Sequence, residues 1–175
     1  MTDADGETRW YTADPRGILP LDTFHVPGTL RQLLKKNPPV FDVRYNTAFT
    51  TVMRNCRNIR TDSWISEEII DAYTHLHEIG FAHSVETWQN GELVGGLYGV
   101  SLGGAFFGES MFHKKADASK VALVYLVARL KERGYVLLDS QATTNHLRKF
   151  GCIDIPAEEY MKMLEHAMEK SCSFL

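Results

Sequence analysis

A mixed α+β fold, with a mainly antiparallel sheet flanked by helices, is what the order of signals in this chain predicts, and three observations carry it. Asn90-Gly91 lies between two β-prone runs, and Asn-Gly supplies the two positive φ angles of a type I′ hairpin turn. Gly103-Gly104 repeats the turn signal, which predicts three antiparallel strands over 84–89, 92–101 and 105–112. Beyond them, 118–132 is apolar nearly all round, as a buried central helix requires, and Tyr135-Val136-Leu137-Leu138-Asp139-Ser140-Gln141 is an apolar run that ends polar. Strands followed by helix, strand and helix suit a mixed α+β sandwich rather than a Rossmann sheet.

In chain order, residues 1–8 read as disordered, and 9–20 as an irregular loop with apolar anchors and a turn at Asp14-Pro15. A short helix is predicted over 29–36, with Leu30, Leu33 and Leu34 inward, Arg31, Lys35 and Lys36 outward, and Pro38-Pro39 as the stop. Val40-Phe41-Asp42-Val43-Arg44 alternates as a strand does, and Asn46 can cap a helix running to about Cys56. The loop 57–63 is basic through Arg57 and Arg60. Ser66 caps a helix over 67–79 that Gly80 ends. Asp117 is placed to cap 118–132, and Gly134 to close it. A short helix over 144–150 stops at Gly151, and Pro156 opens a last amphipathic helix over 157–169. The glycines at 95, 96, 99 and 108 are too many for ordinary strands and suggest bulges or close approaches.

Composition narrows the function classes. A chain of 175 residues, 44% hydrophobic and 23% charged, can bury a core as one domain, or as one domain with a small appendage. A net charge of −3 leaves no global basic field, so any nucleic-acid contact must use a local patch. Three widely spaced cysteines with no Cys-x-x-Cys fit reduced thiols. No apolar run reaches membrane-spanning length, and the start is acidic rather than leader-like, so no membrane role and a cytoplasmic location are expected.

Several residues invite chemistry. Asp139 and Gln141 share one side at the end of a buried strand, where α/β sheets bind ligands, although they could equally cap the following turn. Strict alternation puts Phe107, Glu109 and Met111 on one face, and a carboxylate between Phe and Met is either a site residue or half of an ion pair. Trp64 and Trp88 are core residues or stacking platforms. His83 and Glu86 lack a third ligand at suitable spacing, so no metal is expected, and no P-loop or Gly-x-Gly-x-x-Gly occurs.

Longer strings then stand out in a fixed order. They include Trp64-Ile65, the run from His75 to Trp88, Leu93-Val94-Gly95-Gly96-Leu97-Tyr98-Gly99-Val100, Phe107-Gly108-Glu109-Ser110-Met111-Phe112, Ala118-Ser119-Lys120, and Leu138-Asp139-(x)-Gln141. Over roughly 9–165 the chain resembles bacterial leucyl/phenylalanyl-tRNA–protein transferases. The resemblance implies a GNAT-like, acyl-CoA N-acyltransferase-like fold, with a reduced N-terminal region carrying the basic helix over 1–60 and the catalytic domain over 61–175. It implies transfer of Leu, Phe or Met from aminoacyl-tRNA to proteins with N-terminal Arg or Lys, which marks them for degradation, by a monomer that needs no cofactor. By the same resemblance the reaction centre is Asp139, Gln141 and Glu109. The donor side chain would sit among Leu97, Phe106, Met111, Leu126 and Leu130, with Trp64 near the terminal adenosine. Arg31, Lys35 and Lys36 would touch acceptor-stem phosphates. Relatives carry a longer segment before the stretch that begins at Trp10, and aromatic residues where this chain has Leu126 and Leu130; both differences bear on the donor site.

Two other readings compete. A CoA-dependent N-acetyltransferase on the same fold would need a glycine turn whose amides cradle pyrophosphate, and Lys114-Lys115-Ala116-Asp117-Ala118-Ser119 lacks the glycines. A non-catalytic binder of basic protein N-termini would have no need of Asp139, Gln141, Glu109 and Trp64 together.

Overall fold

The computed structural model describes residues 13–59 and 63–175. The expectations for residues 1–8, for Trp10 and for Arg60 lie outside them. One seven-stranded sheet runs in the order β2-β3-β4-β5-β6-β1-β7. Its strands are β1 (Arg16–Ile18), β2 (Asp42–Tyr45), β3 (Ala82–Gln89), β4 (Glu92–Leu102), β5 (Ala105–His113), β6 (Leu137–Gln141) and β7 (Ile153–Ile155). Every pairing is antiparallel except β5 with β6. The helices are α1 (Gly28–Leu34), α2 (Phe49–Asn58), α3 (Glu67–Glu78), α4 (Ala118–Glu132), α5 (Asn145–Arg148) and α6 (Ala157–Met168). The mixed, mainly antiparallel sheet flanked by helices is the expected fold class, and strands from residues before and after 60 share it.

The hairpin forms as its turn residues dictate, with Asn90 at φ 52° and Gly91 at φ 80°. Alternation along the strands sorts three cores. Leu19, Val85, Leu97, Phe106 and Leu138 point into the largest, under α4 and α1. Ala82, Tyr98 and Phe112 face α2 and α3. Ile18, Ala105 and Leu137 face α6, on the side away from α4. Gly95 earns its place here, because a Cβ would lie 2.5 Å from the Ala118 Cβ at the start of α4.

Three expectations change. Residues 16–18 form a strand inserted between β6 and β7, where the sequence suggests loop; three residues including a glycine carry no readable period. Asn46 does not cap α2: it stands at φ 59°, its side-chain carbonyl accepts from Ser84 N–H at 3.0 Å, and its amide meets His83 Nδ1 at 3.0 Å. The fully buried Glu86 serves α2 instead, accepting from Thr47 N–H and Ala48 N–H at 2.9 Å each, and from the Ser84 hydroxyl at 2.8 Å. Asp117 occupies the N-cap position of α4 but pairs with Lys120 at 2.6 Å instead of bonding the helix. By contrast, Ser66 accepts from Ile69 N–H at the start of α3 as expected.

Among the described residues no helix is long and apolar enough to cross a membrane.

Candidate active site

The site grows out of the one parallel pair in the sheet. β5 and β6 are paired only at Ala105, Phe106 and Phe107 against Leu137, Leu138 and Asp139. Beyond Gly108 the strands part, and a cavity of about 570 Å³ opens between them. That size suits a small organic ligand. Its position, outside the carboxyl end of a parallel strand pair, is where open sheets commonly hold ligands.

A bulge aims the first carboxylate. Tyr98 pairs with Ser110 and Gly99 with Gly108, so Glu109 is the extra, unpaired residue of β5. The bulge inverts the alternation, correcting the single face expected for Phe107, Glu109 and Met111. Phe107 packs under α6, whereas Glu109 and Met111 line the cavity. Gly99 sits beside the bulge because a Cβ there would strike the Phe107 carbonyl. Burial raises the pKa of Glu109; bonds from Gln141 and Tyr73 oppose the rise, and the charge of Asp139 adds to it. The Gln141 amide donates to Glu109 Oε2 at 3.3 Å.

Asp139 is completely buried at the end of β6. The Arg16 guanidinium on β1 donates through Nη2 to Oδ2 at 2.6 Å, and through Nε to both oxygens at 3.1 and 3.2 Å. The Tyr160 hydroxyl on α6 donates to Oδ2 at 2.6 Å, and Gln141 N–H donates to Oδ1 at 2.7 Å. Burial weakens the hold of Arg16 on its proton, but the bonds and charge of Asp139 outweigh it and raise the pKa. The Tyr160 hydroxyl is pushed up by burial and then by Asp139. Gln141 stands at φ 64°, a left-handed conformation rare for a residue with a side chain.

Asp139, Gln141 and Glu109 are thus brought together, and Trp64, Leu97, Met111 and Leu126 line the same cavity. Phe106 and Leu130 are not among its walls. Phe106 is fully buried against Phe174, ring centroids 5.5 Å apart, and Leu130, a turn beyond Leu126 on α4, is sealed in the core. The apolar walls also include Leu19, Leu123, Leu138 and Leu147, which apolar runs alone could not distinguish from core. Tyr98 contributes a buried hydroxyl, and His146 a buried Nε2, that have no hydrogen-bond partner among the described residues. Arg31, Lys35 and Lys36 are exposed on and just beyond α1, away from the cavity lining. Arg57, expected in a loop over 57–63, lies in the last turn of α2 and is paired with Glu67. Arg16 and Tyr160 are the residues sequence reading missed; the only signal was an Asp-Pro-Arg-Gly stretch that reads as a turn. Among the described residues no three His, Cys, Asp or Glu side chains could hold a metal ion.

Comparison with known proteins covers most of the stretch that builds this site. The family model for leucyl/phenylalanyl-tRNA protein transferases matches residues 18–165. The leucyl/phenylalanyl-tRNA–protein transferase of Chlorobaculum parvum is 49% identical over 174 residues, covering 98% of this chain and 89% of that protein. That of Herpetosiphon aurantiacus is 50% identical over 173 residues, with the same coverage of 98% and 89%. Among solved structures, a conserved protein of unknown function from Staphylococcus epidermidis superposes with a TM-score of 0.50 at 7% identity, over 80% of this chain and 56% of its own; this is a likeness of fold. With the family match running from β1 into α6, through both strands that open the cavity, the chain belongs to the leucyl/phenylalanyl-tRNA protein transferase family.

Proposed function

We propose that this aminoacyltransferase moves Leu, Phe or Met from aminoacyl-tRNA to the N-terminal Arg or Lys of acceptor proteins, in the cytoplasm and as a monomer, and so marks those proteins for proteolysis. The observation that supports it best is an apolar cavity that ends against Glu109 and Gln141, the polar pair at the parted strands. Such a cavity suits an apolar side chain not branched at Cβ, as in Leu, Phe or Met, at its apolar end and an ester carbonyl at its polar end. The aminoacyl ester is already activated, so catalysis reduces to orientation, proton removal and charge stabilisation. The acceptor's α-amine, once neutral, attacks the ester carbonyl. The new C–N bond forms, the C–O bond to the ribose breaks, and the ribose hydroxyl leaves with a proton. Gln141, which has no useful basicity, orients the amine or the carbonyl through its amide. Glu109 holds the amino group of the aminoacyl moiety, and its charge suits a cationic acceptor. Asp139 supplies electrostatic support. Trp64 packs against the terminal adenosine, and Arg31, Lys35 and Lys36 meet acceptor-stem phosphates without reading sequence.

The test is transfer of radiolabelled Leu, Phe and Met from charged tRNA to a peptide beginning with Arg or Lys, with an Ala peptide as control and acetyl-CoA as a parallel donor. Transfer to the basic peptides alone, lost in Asp139→Ala, is expected. Activity with acetyl-CoA alone would move the chain to a different N-acyltransferase class. Peptide binding without transfer from any donor would make it a binder.

A further inference from the structure

The surroundings of Asp139 define its role within that proposed reaction, on which this inference rests. A carboxylate offers about four lone-pair sites. Those of Asp139 are taken by Arg16 Nη2 and Nε, the Tyr160 hydroxyl and Gln141 N–H, at 2.6 to 3.2 Å, with no surface left exposed. An incoming amine finds no free lone pair there. Turning the carboxylate towards an amine would take it from the Arg16 guanidinium and leave that charge unpaired, which is costly where water is excluded. Alternation agrees: Leu138 points into the core that the cavity joins, whereas Leu137, two residues before Asp139 and so on the same face of β6, faces α6.

The bond that leads from Asp139 back to the site is the one to Gln141 N–H. It closes a tight turn that holds Gln141 left-handed at φ 64°, a conformation that costs a residue with a side chain about 1–3 kcal/mol unless its surroundings enforce it. So held, the Gln141 amide lies 3.3 Å from Glu109. The enforcement comes from two distant elements. β1 pairs with β6, placing Gly17 opposite Gln141 and Ile18 opposite Asp139. A Cβ on Gly17 would come within 2.5 Å of the Ala142 backbone, so the missing side chain is what lets Arg16 arrive. α6 brings Tyr160, over whose ring the Arg16 guanidinium lies at 5.0 Å.

We propose that Arg16 and Tyr160 are positioning residues of the transfer reaction. They clamp the Asp139 carboxylate by filling its lone pairs, so that it shapes the Gln141 turn and accepts nothing from the amine.

Tyr160→Phe, which removes one hydroxyl, is the decisive variant, with Arg16→Ala, Arg16→Lys and Gln141→Ala beside it. In steady-state transfer from charged tRNA to an Arg peptide, Tyr160→Phe is expected to lower kcat about tenfold to a hundredfold, the scale of a misplaced catalytic group, with both KM values unchanged. Arg16→Ala should lose more, and Arg16→Lys should recover part of it. Because the clamp acts through Gln141, adding Tyr160→Phe to Gln141→Ala should cost nothing further. The pH profile of Tyr160→Phe should keep its shape. Wild-type kcat in Tyr160→Phe, or fully additive losses with Gln141→Ala, would overturn the proposal. Hydrogen exchange at the Gln141 amide reads the same clamp without activity, and faster exchange is expected in Tyr160→Phe and Arg16→Lys. A wild-type chain that transfers from none of the three tRNAs sinks the transferase reading alone, whereas unchanged Gln141 exchange sinks the clamp whether or not the chain is active.

Discussion

In the proposed reaction, Glu109 and Leu126 are single residues that carry the chemistry and its selectivity. The acceptor amine must be neutral to attack, so the rate falls with unit slope below the amine's own pKa, about 8. Glu109 must be ionised to hold an amino group, and burial puts its pKa above the ordinary 4.5. As pH drops through that raised value the slope should steepen to two. Glu109→Gln should keep unit slope throughout while losing about 10²-fold or more in kcat/KM, read from transfer rates across the acid range. Leu126 lines the cavity, so Leu126→Phe should cut transfer of Phe relative to Leu by about tenfold or more, as a shape change in an apolar pocket does. Leu130 is outside it, so Leu130→Phe should leave that ratio alone and instead cost about 1–3 kcal/mol of stability by overpacking, visible in urea denaturation.

At the scale of elements, α2 is held by a strand rather than by its own flank. Glu86 on β3 accepts from two N–H groups at the start of the helix, so Glu86→Gln should weaken the chain by about 1–3 kcal/mol, and lower Tm by several degrees, with little change in kcat. This contact also shows what the sequence could reveal. The Asn90-Gly91 turn, the Ser66 cap and the long apolar α4 are local, and each is legible within a few residues. The partner of Glu86 is not, because it lies 38 and 39 positions away and Asn46 offered a plausible local cap. The cavity was legible in part for the same reason. Period 2 put Asp139 and Gln141 together at a strand end, but a bulge at Glu109 inverts the period and sends Phe107 and Met111 to opposite faces. No local rule separates Leu126, on the cavity, from Leu130, one turn on and sealed. Arg16 was missed because β1 is a strand only by virtue of β6 and β7.

The whole molecule has a titrating group far from its chemistry. His83 stacks on Phe174 at 4.4 Å, and burial first, then neighbouring His77, lower its pKa to about 4. The unfolded chain binds that proton near pH 6.5, the folded chain only near 4, so the unfolded state holds more protons in between. Global stability should therefore decline as pH falls from about 6.5 towards 4, and His83→Gln should flatten that part of a urea-midpoint profile.

The salt bridge between Arg16 and Asp139 joins positions 123 residues apart, with Tyr160 later still. A ribosome releases the first partner long before the others. The ladder from β2 to β5 can assemble behind it, while β1 has no neighbour until 137–141 and 153–155 have emerged. With the proposed roles of these residues, catalytic competence comes late to the nascent chain, and a polypeptide still being made would not consume the charged tRNAs that the translation machinery is using.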